Sequence, residues 1–179
     1  MANDQYFDSK EKIDLIQKMI TRTDGFHNYA NTKSTIILTF LTAMVVALLA
    51  NIGKSIDYLN ALEHYDLIVI YKIITTLALI NIGSAFFFVA KTIIPFVKPS
   101  SSFNIYSFID TCHYKKTEDI YLEAFSQLNK EETIKSLLLL QYNLSKGLIE
   151  KYNNHKISII LLFIAGTLLS FNLFILIFA

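Results

Sequence analysis

The residues in this sequence able to do chemistry are few, and most stand in patterns that rule chemistry out. Four histidines occur, His27, His64, His113 and His155. They form no HExxH pattern, and no pair has metal-ligand spacing on one helix. The single cysteine, Cys112, excludes an intramolecular disulfide and a Cys-rich metal site. Its expected place is that of a small buried residue. Neither a glycine-rich phosphate loop nor a GxSxG elbow is present. Glu118 and Asp119 are adjacent acids, but sequence neighbours on a helix do not face each other. Both suit the positive end of a helix dipole instead. The expectation is a protein without catalytic residues, metal ligands or cofactor.

A second grouping collects cations and aromatics. Asn31 and Lys33 precede one apolar run, Lys91 closes another, and Lys151, Tyr152, Asn153, Asn154, His155 and Lys156 precede a third. Two accounts are open. The plainer one is anchoring to anionic lipid headgroups. The other is a site for an anionic ligand, where lysine meets phosphate and an aromatic face stacks on a base. On that account the candidate ligand-binding residues are Asn31, Lys33, Tyr142, Lys151, Tyr152 and His155, with Tyr29 a further aromatic face. Lys72, Lys91 and Lys156 are the expected membrane-interface residues.

What must position these residues is a set of long apolar helices. Hydrophobic residues make up 53% of the 179, and they are concentrated in runs. A bilayer core takes about 20 helical residues to cross. The first candidate span is Ser34 to Gly53, without a charge. The second runs from Leu67 to Val97, with an uncharged stretch from Ile73 to Ala90 between Lys72 and Lys91, which snorkel to opposite interfaces. Pro95 lies near its end and Pro99 stops it. The third runs from Ile157 to Ala179. The fold class is therefore an all-α integral membrane protein with three transmembrane helices. No secretory signal is expected, because the first 30 residues hold no apolar core.

Charge gives the orientation. The net charge of +1 offers no argument for a nucleic-acid partner. Its distribution is uneven: the N-terminal tail, the segment between the second and third spans, and Lys91 snorkelling to the same side hold 14 of the 16 Lys and Arg, leaving Lys54 and Lys72 opposite. The positive-inside rule places both in the cytoplasm and the C-terminus across the membrane. The division is then 1–33, a cytoplasmic amphipathic helix; 34–97, two spans with a short periplasmic loop; 98–156, a cytoplasmic helical sensor region; and 157–179, the third span.

In the tail, Asp8 caps a helix with Glu11 as its capping-box partner, Ile13, Ile16 and Ile20 form a face joined by Leu15 and Met19, and Gly25 marks a break before the span. The expected partner of this face is other cytoplasmic helices rather than the membrane surface. Ser100, Ser101 and Ser102 form a turn, and a helix starts near Thr117. Asn129 with Glu132 signals another start. No proline follows Lys130, so one helix is expected to run from there through the third span, with Leu137 to Leu140 packed against the tail or another subunit.

Three segments also resemble a known family. Tyr29-Ala30-Asn31-Thr32-Lys33-Ser34 before an apolar span resembles the ADxKAS entry of the Pycsar effector family, with Asn31 in place of the usual acid. NIYSFIDTCHYKKTEDIYLEAF resembles that family's short aromatic stretch and its YL helix. Gln141, Leu144 and Ser145 followed by Lys151-Tyr152 resemble its helix into the last span. The resemblance implies a bacterial antiphage effector in the inner membrane, of a design related to the SLATT proteins. Its implied ligand is cyclic UMP or cyclic CMP from a partner pyrimidine cyclase, and its implied act is damage to that membrane that stops the infected cell. Three spans are too few for a wide pore, so a homo-oligomer is expected. The alternative is a constitutive membrane scaffold or holin-like pore protein without a ligand.

Overall fold

The computed structural model describes residues 8–94, 99–100, 103–114 and 117–179. Expectations for Pro95, Lys98, Ser101, Ser102, Lys115 and Lys116 lie outside the described residues. Five helices follow in order: α1 (Ser9–Ala61), α2 (Tyr65–Ile93), α3 (Phe108–Tyr114), α4 (Glu118–Ser126) and α5 (Lys130–Phe178). No strand occurs among the described residues. Three of the helices, α1, α2 and α5, are long and apolar enough to cross a membrane. The protein is an all-α membrane protein.

The helix starts follow local chemistry. Glu11 accepts a hydrogen bond from the Asp8 amide at 3.0 Å, and the Asp8 carboxylate takes the Ser9 amide at 2.6 Å. At α5 the box is complete: the Glu132 amide donates to the Asn129 side chain at 2.9 Å, and Glu132 accepts from the Asn129 amide at 3.4 Å. α4 opens with Glu118 and Asp119 in its first turn. The turn between α1 and α2 is three residues long. Glu63 takes φ 59°, and the His64 amide reaches back to the Leu59 carbonyl at 3.2 Å, closing the last turn of α1.

Two expectations are corrected here. α1 does not break at Gly25 but runs through it, and past Gly53 to Ala61. An internal glycine costs about 1 kcal/mol, too little to stop a cooperative helix of this length. Cys112 is exposed, not buried. On the seven-residue α3 the buried position goes to Asp110, whose carboxylate accepts the Ser100 amide at 2.7 Å.

The chain forms two units. The first comprises Met1–Tyr29 and Pro95–Glu150. In it α1 and α5 run parallel: Gln141 donates to Thr23 at 2.9 Å, and one turn on, His27 Nε2 donates to the Leu144 carbonyl at 2.9 Å. On the tail, Ile16 is buried, Ile13 and Ile20 are half-buried, and Leu15 and Met19 are exposed, so the last two leave the face assigned to them. Of the leucine run, Leu137 is buried and Leu138 exposed. The connecting segment is tied to α5 by buried Asn104, which donates to the Ser136 carbonyl at 2.9 Å, and by Asn143, which donates to Ser100 at 3.1 Å.

The second unit comprises Ala30–Ile94 and Lys151–Ala179 and holds the apolar runs. Its buried residues recur at alternating steps of three and four. On α2 they are Ile68, Tyr71, Thr75, Ala78, Ile82, Ala85, Val89 and Thr92. On α5 His155, Ser158, Ala165 and Asn172 fit the same spacing, as do Ala30, Ser34 and Leu41 on α1. This 3.5-residue period is that of helices packed through one seam. The core is formed by Leu41, Ile82, Ala85, Val89 and Ala165, whose alanines let backbones approach closely.

Candidate functional site

The unit with the apolar runs carries a polar cluster where α1, α2 and α5 meet. His155 is buried on α5. Its Nε2 lies 2.9 Å from the Ala30 carbonyl and 3.0 Å from Ser34 Oγ. A carbonyl can only accept, so Nε2 carries the hydrogen. Ser34 Oγ also meets Thr92 Oγ1 of α2, and Thr92 donates to the Val89 carbonyl at 2.7 Å. A chain of hydrogen bonds therefore crosses all three helices from His155 through Ser34 to Thr92. His155 Nδ1 finds no hydrogen-bond partner among the described residues. Every member sits at a seam position, where a polar side chain fixes register at some cost in stability. A second brace stands farther along, where Asn172 donates to Thr75 at 2.7 Å.

One turn before His155, Lys151 Nζ donates to Asn31 Oδ1 at 2.7 Å. Burial of this lysine pushes its pKa below the ordinary value. An ammonium has three donors, so two remain for other partners. Lys33, two residues beyond Asn31, is exposed, as is Tyr152 beside Lys151. Of the six candidates, Asn31 and Lys151 are brought into contact. His155 is brought to the same helix junction, but its ring faces the interior. Tyr142 is exposed and belongs, with Tyr29, to the other unit. Lys72 and Lys156 are exposed, and Lys91 lies over the Phe87 ring at 4.6 Å. Among the described residues no group of His, Cys, Asp or Glu could hold a metal ion.

Ser34, Thr92 and the Ala30 carbonyl were not among the candidates. Their signal is periodic: each falls on the three-and-four spacing that buries its neighbours, a pattern that counting charges and apolar residues in windows does not register.

Fold and site define a three-span membrane protein whose helix junction is braced by polar groups and edged by lysines. A family model described as the Pycsar effector protein domain matches residues 15–178. The match takes in both units, and the chain belongs to this family, the membrane effectors of a bacterial antiphage defence. No curated protein and no solved structure gave a match.

Proposed function

We propose that this effector answers a cyclic pyrimidine mononucleotide, cyclic UMP or cyclic CMP, made by a partner cyclase, and that it then disrupts the bacterial inner membrane. The observation that carries this reading is the family match over both units of the chain. The protein acts without catalysis of its own, as a homo-oligomer with its N-terminus cytoplasmic and its C-terminus across the membrane. A cyclic nucleotide brings one phosphodiester anion and one flat base. The anion takes the two remaining donors of Lys151 with help from Lys33, and the base has the face of Tyr152 beside it. Lys151 sits one turn from His155 on the same helix. An anion that draws Lys151 off Asn31 therefore loosens α5 against α1 next to the chain of hydrogen bonds that holds α2.

The test is direct binding. Purified full-length protein in lipid nanodiscs is titrated with cyclic UMP, cyclic CMP and cyclic AMP by calorimetry. Saturable binding of one pyrimidine nucleotide, lost in Lys151→Glu, supports the proposal. Absence of binding by both pyrimidine nucleotides overturns it.

A further inference from the structure

Among the described residues, the unit formed by Met1–Tyr29 and Pro95–Glu150 has one side that leaves large apolar side chains exposed. On α1, Leu15, Met19, Phe26 and Tyr29 are exposed at steps of four, seven and three, each one residue before the seam positions Ile16, Ile20, His27 and Ala30, which are buried or half-buried. On α5, Leu138, Tyr142 and Ile149 are exposed, each one residue after the seam positions Leu137, Gln141 and Leu148. The bonds from Gln141 to Thr23 and from His27 to Leu144 show the two helices parallel. For parallel helices facing through such a seam, positions just before it on one helix and just after it on the other lie on the same side. The two apolar strips are therefore one face. The connecting segment attaches to the other side of α5, at Ser136 and Asn143. On that side α1 is polar, with Gln17, Thr21, Asp24 and Asn28. Among the described residues, Leu15, Met19, Phe26, Leu138, Tyr142 and Ile149 thus stand exposed on the side away from that attachment.

We infer that this face is the contact between two copies of the chain, each laying its α1 and α5 strips against those of the other. Size is the first argument. The seven side chains are 41–66% exposed. With large side chains of about 150–200 Å² each, the face offers on the order of 600 Å² per copy, near the lower end of a stable dimer interface. Orientation is the second. Two copies inserted in one bilayer point the same way, so their parallel helix pairs meet as the four helices of a bundle, and confinement to the membrane raises their effective concentration. Charge is the third. Neither strip places a carboxylate among its apolar residues, and the one cation, Arg22, lies over the Phe26 ring at 5.6 Å. The inference rests on the membrane reading above and needs no nucleotide.

Thiol cross-linking in native membranes tests it, without added nucleotide and without any reading of membrane damage. In a full-length Cys112→Ser background, Phe26→Cys and Tyr142→Cys are compared with Thr21→Cys, using a short bis-maleimide. The two face variants should yield about tenfold more covalent dimer than Thr21→Cys, the margin of a held contact over random collision. Adding Phe26→Asp to the Tyr142→Cys chain should remove that excess. Equal yields at all three positions overturn the inference. So does a product containing a different protein, or protection of the thiols from a water-soluble maleimide with no dimer, which assigns the face to the lipid surface. Failure here leaves the nucleotide titration unaffected, so the two readings fall separately.

Discussion

His155 and Lys151 stand one turn apart and carry different burdens. His155 Nε2–H serves both the Ala30 carbonyl and Ser34 Oγ. His155→Ala removes that donor and opens a void among three helices. The cost should be about 2–4 kcal/mol. Ser34→Ala leaves Nε2–H its bond to Ala30 and should cost about 1 kcal/mol. Thermal unfolding in detergent ranks the two, and equal destabilisation would contradict the shared-donor arrangement. Lys151→Glu reverses the charge offered to an anion and turns an acceptor toward Asn31 Oδ1. It should abolish nucleotide binding while the protein still inserts. Lys33→Glu, at an exposed position, should weaken binding with little effect on unfolding temperature. Unchanged binding in both variants would return this cluster to the role of headgroup anchor.

At the level of elements, α5 runs unbroken from Lys130 to Phe178, as the lack of proline foretold, and the Asn129 and Glu132 capping box opens it. Gly25 misled because glycine is informative as a stop when the backbone turns left-handed, and no glycine among the described residues does so. The residue that does is Glu63. The glycines within helices therefore give a stability prediction. A Cβ at Gly25 meets nothing within 4 Å, and one at Gly147 meets His27 Cε1 at 3.8 Å, an ordinary contact. Gly25→Ala and Gly147→Ala should each stabilise by roughly 0.5–1 kcal/mol, seen as a higher unfolding temperature. Tyr152→Pro acts oppositely. It breaks α5 between Lys151 and His155 at about 3 kcal/mol or more and should uncouple nucleotide binding from membrane damage. Depolarisation that persists in this variant would show that α5 continuity is not the route. The buried polar residues were legible only through their period. Thr75, Thr92, Ser158 and Asn172 look incidental in an apolar run, yet each falls where the three-and-four spacing turns it inward.

For the whole molecule, the three spans and the all-α class could be read directly, because crossing a bilayer demands apolar length that no other constraint on this chain produces. Which side chains meet across the spans could not, since contacts between residues about 120 positions apart, such as Asn31 with Lys151, are set by packing and not by local composition. The lysine asymmetry gives a topology to check. A reporter fused after Ala179 should be periplasmic and one inserted near Ser101 cytoplasmic. A cytoplasmic signal from the C-terminal fusion would contradict it. The central claim is that a cyclic pyrimidine nucleotide turns this protein against the membrane that holds it. Membrane potential measured in cells expressing the wild-type chain or Lys151→Glu, before and after supply of cyclic UMP or cyclic CMP, tests that claim most directly. Rapid depolarisation in the wild type with one of the two nucleotides, absent in Lys151→Glu, is the predicted result. Depolarisation on expression alone, equal in both chains and indifferent to nucleotide, would contradict it and mark a constitutive pore.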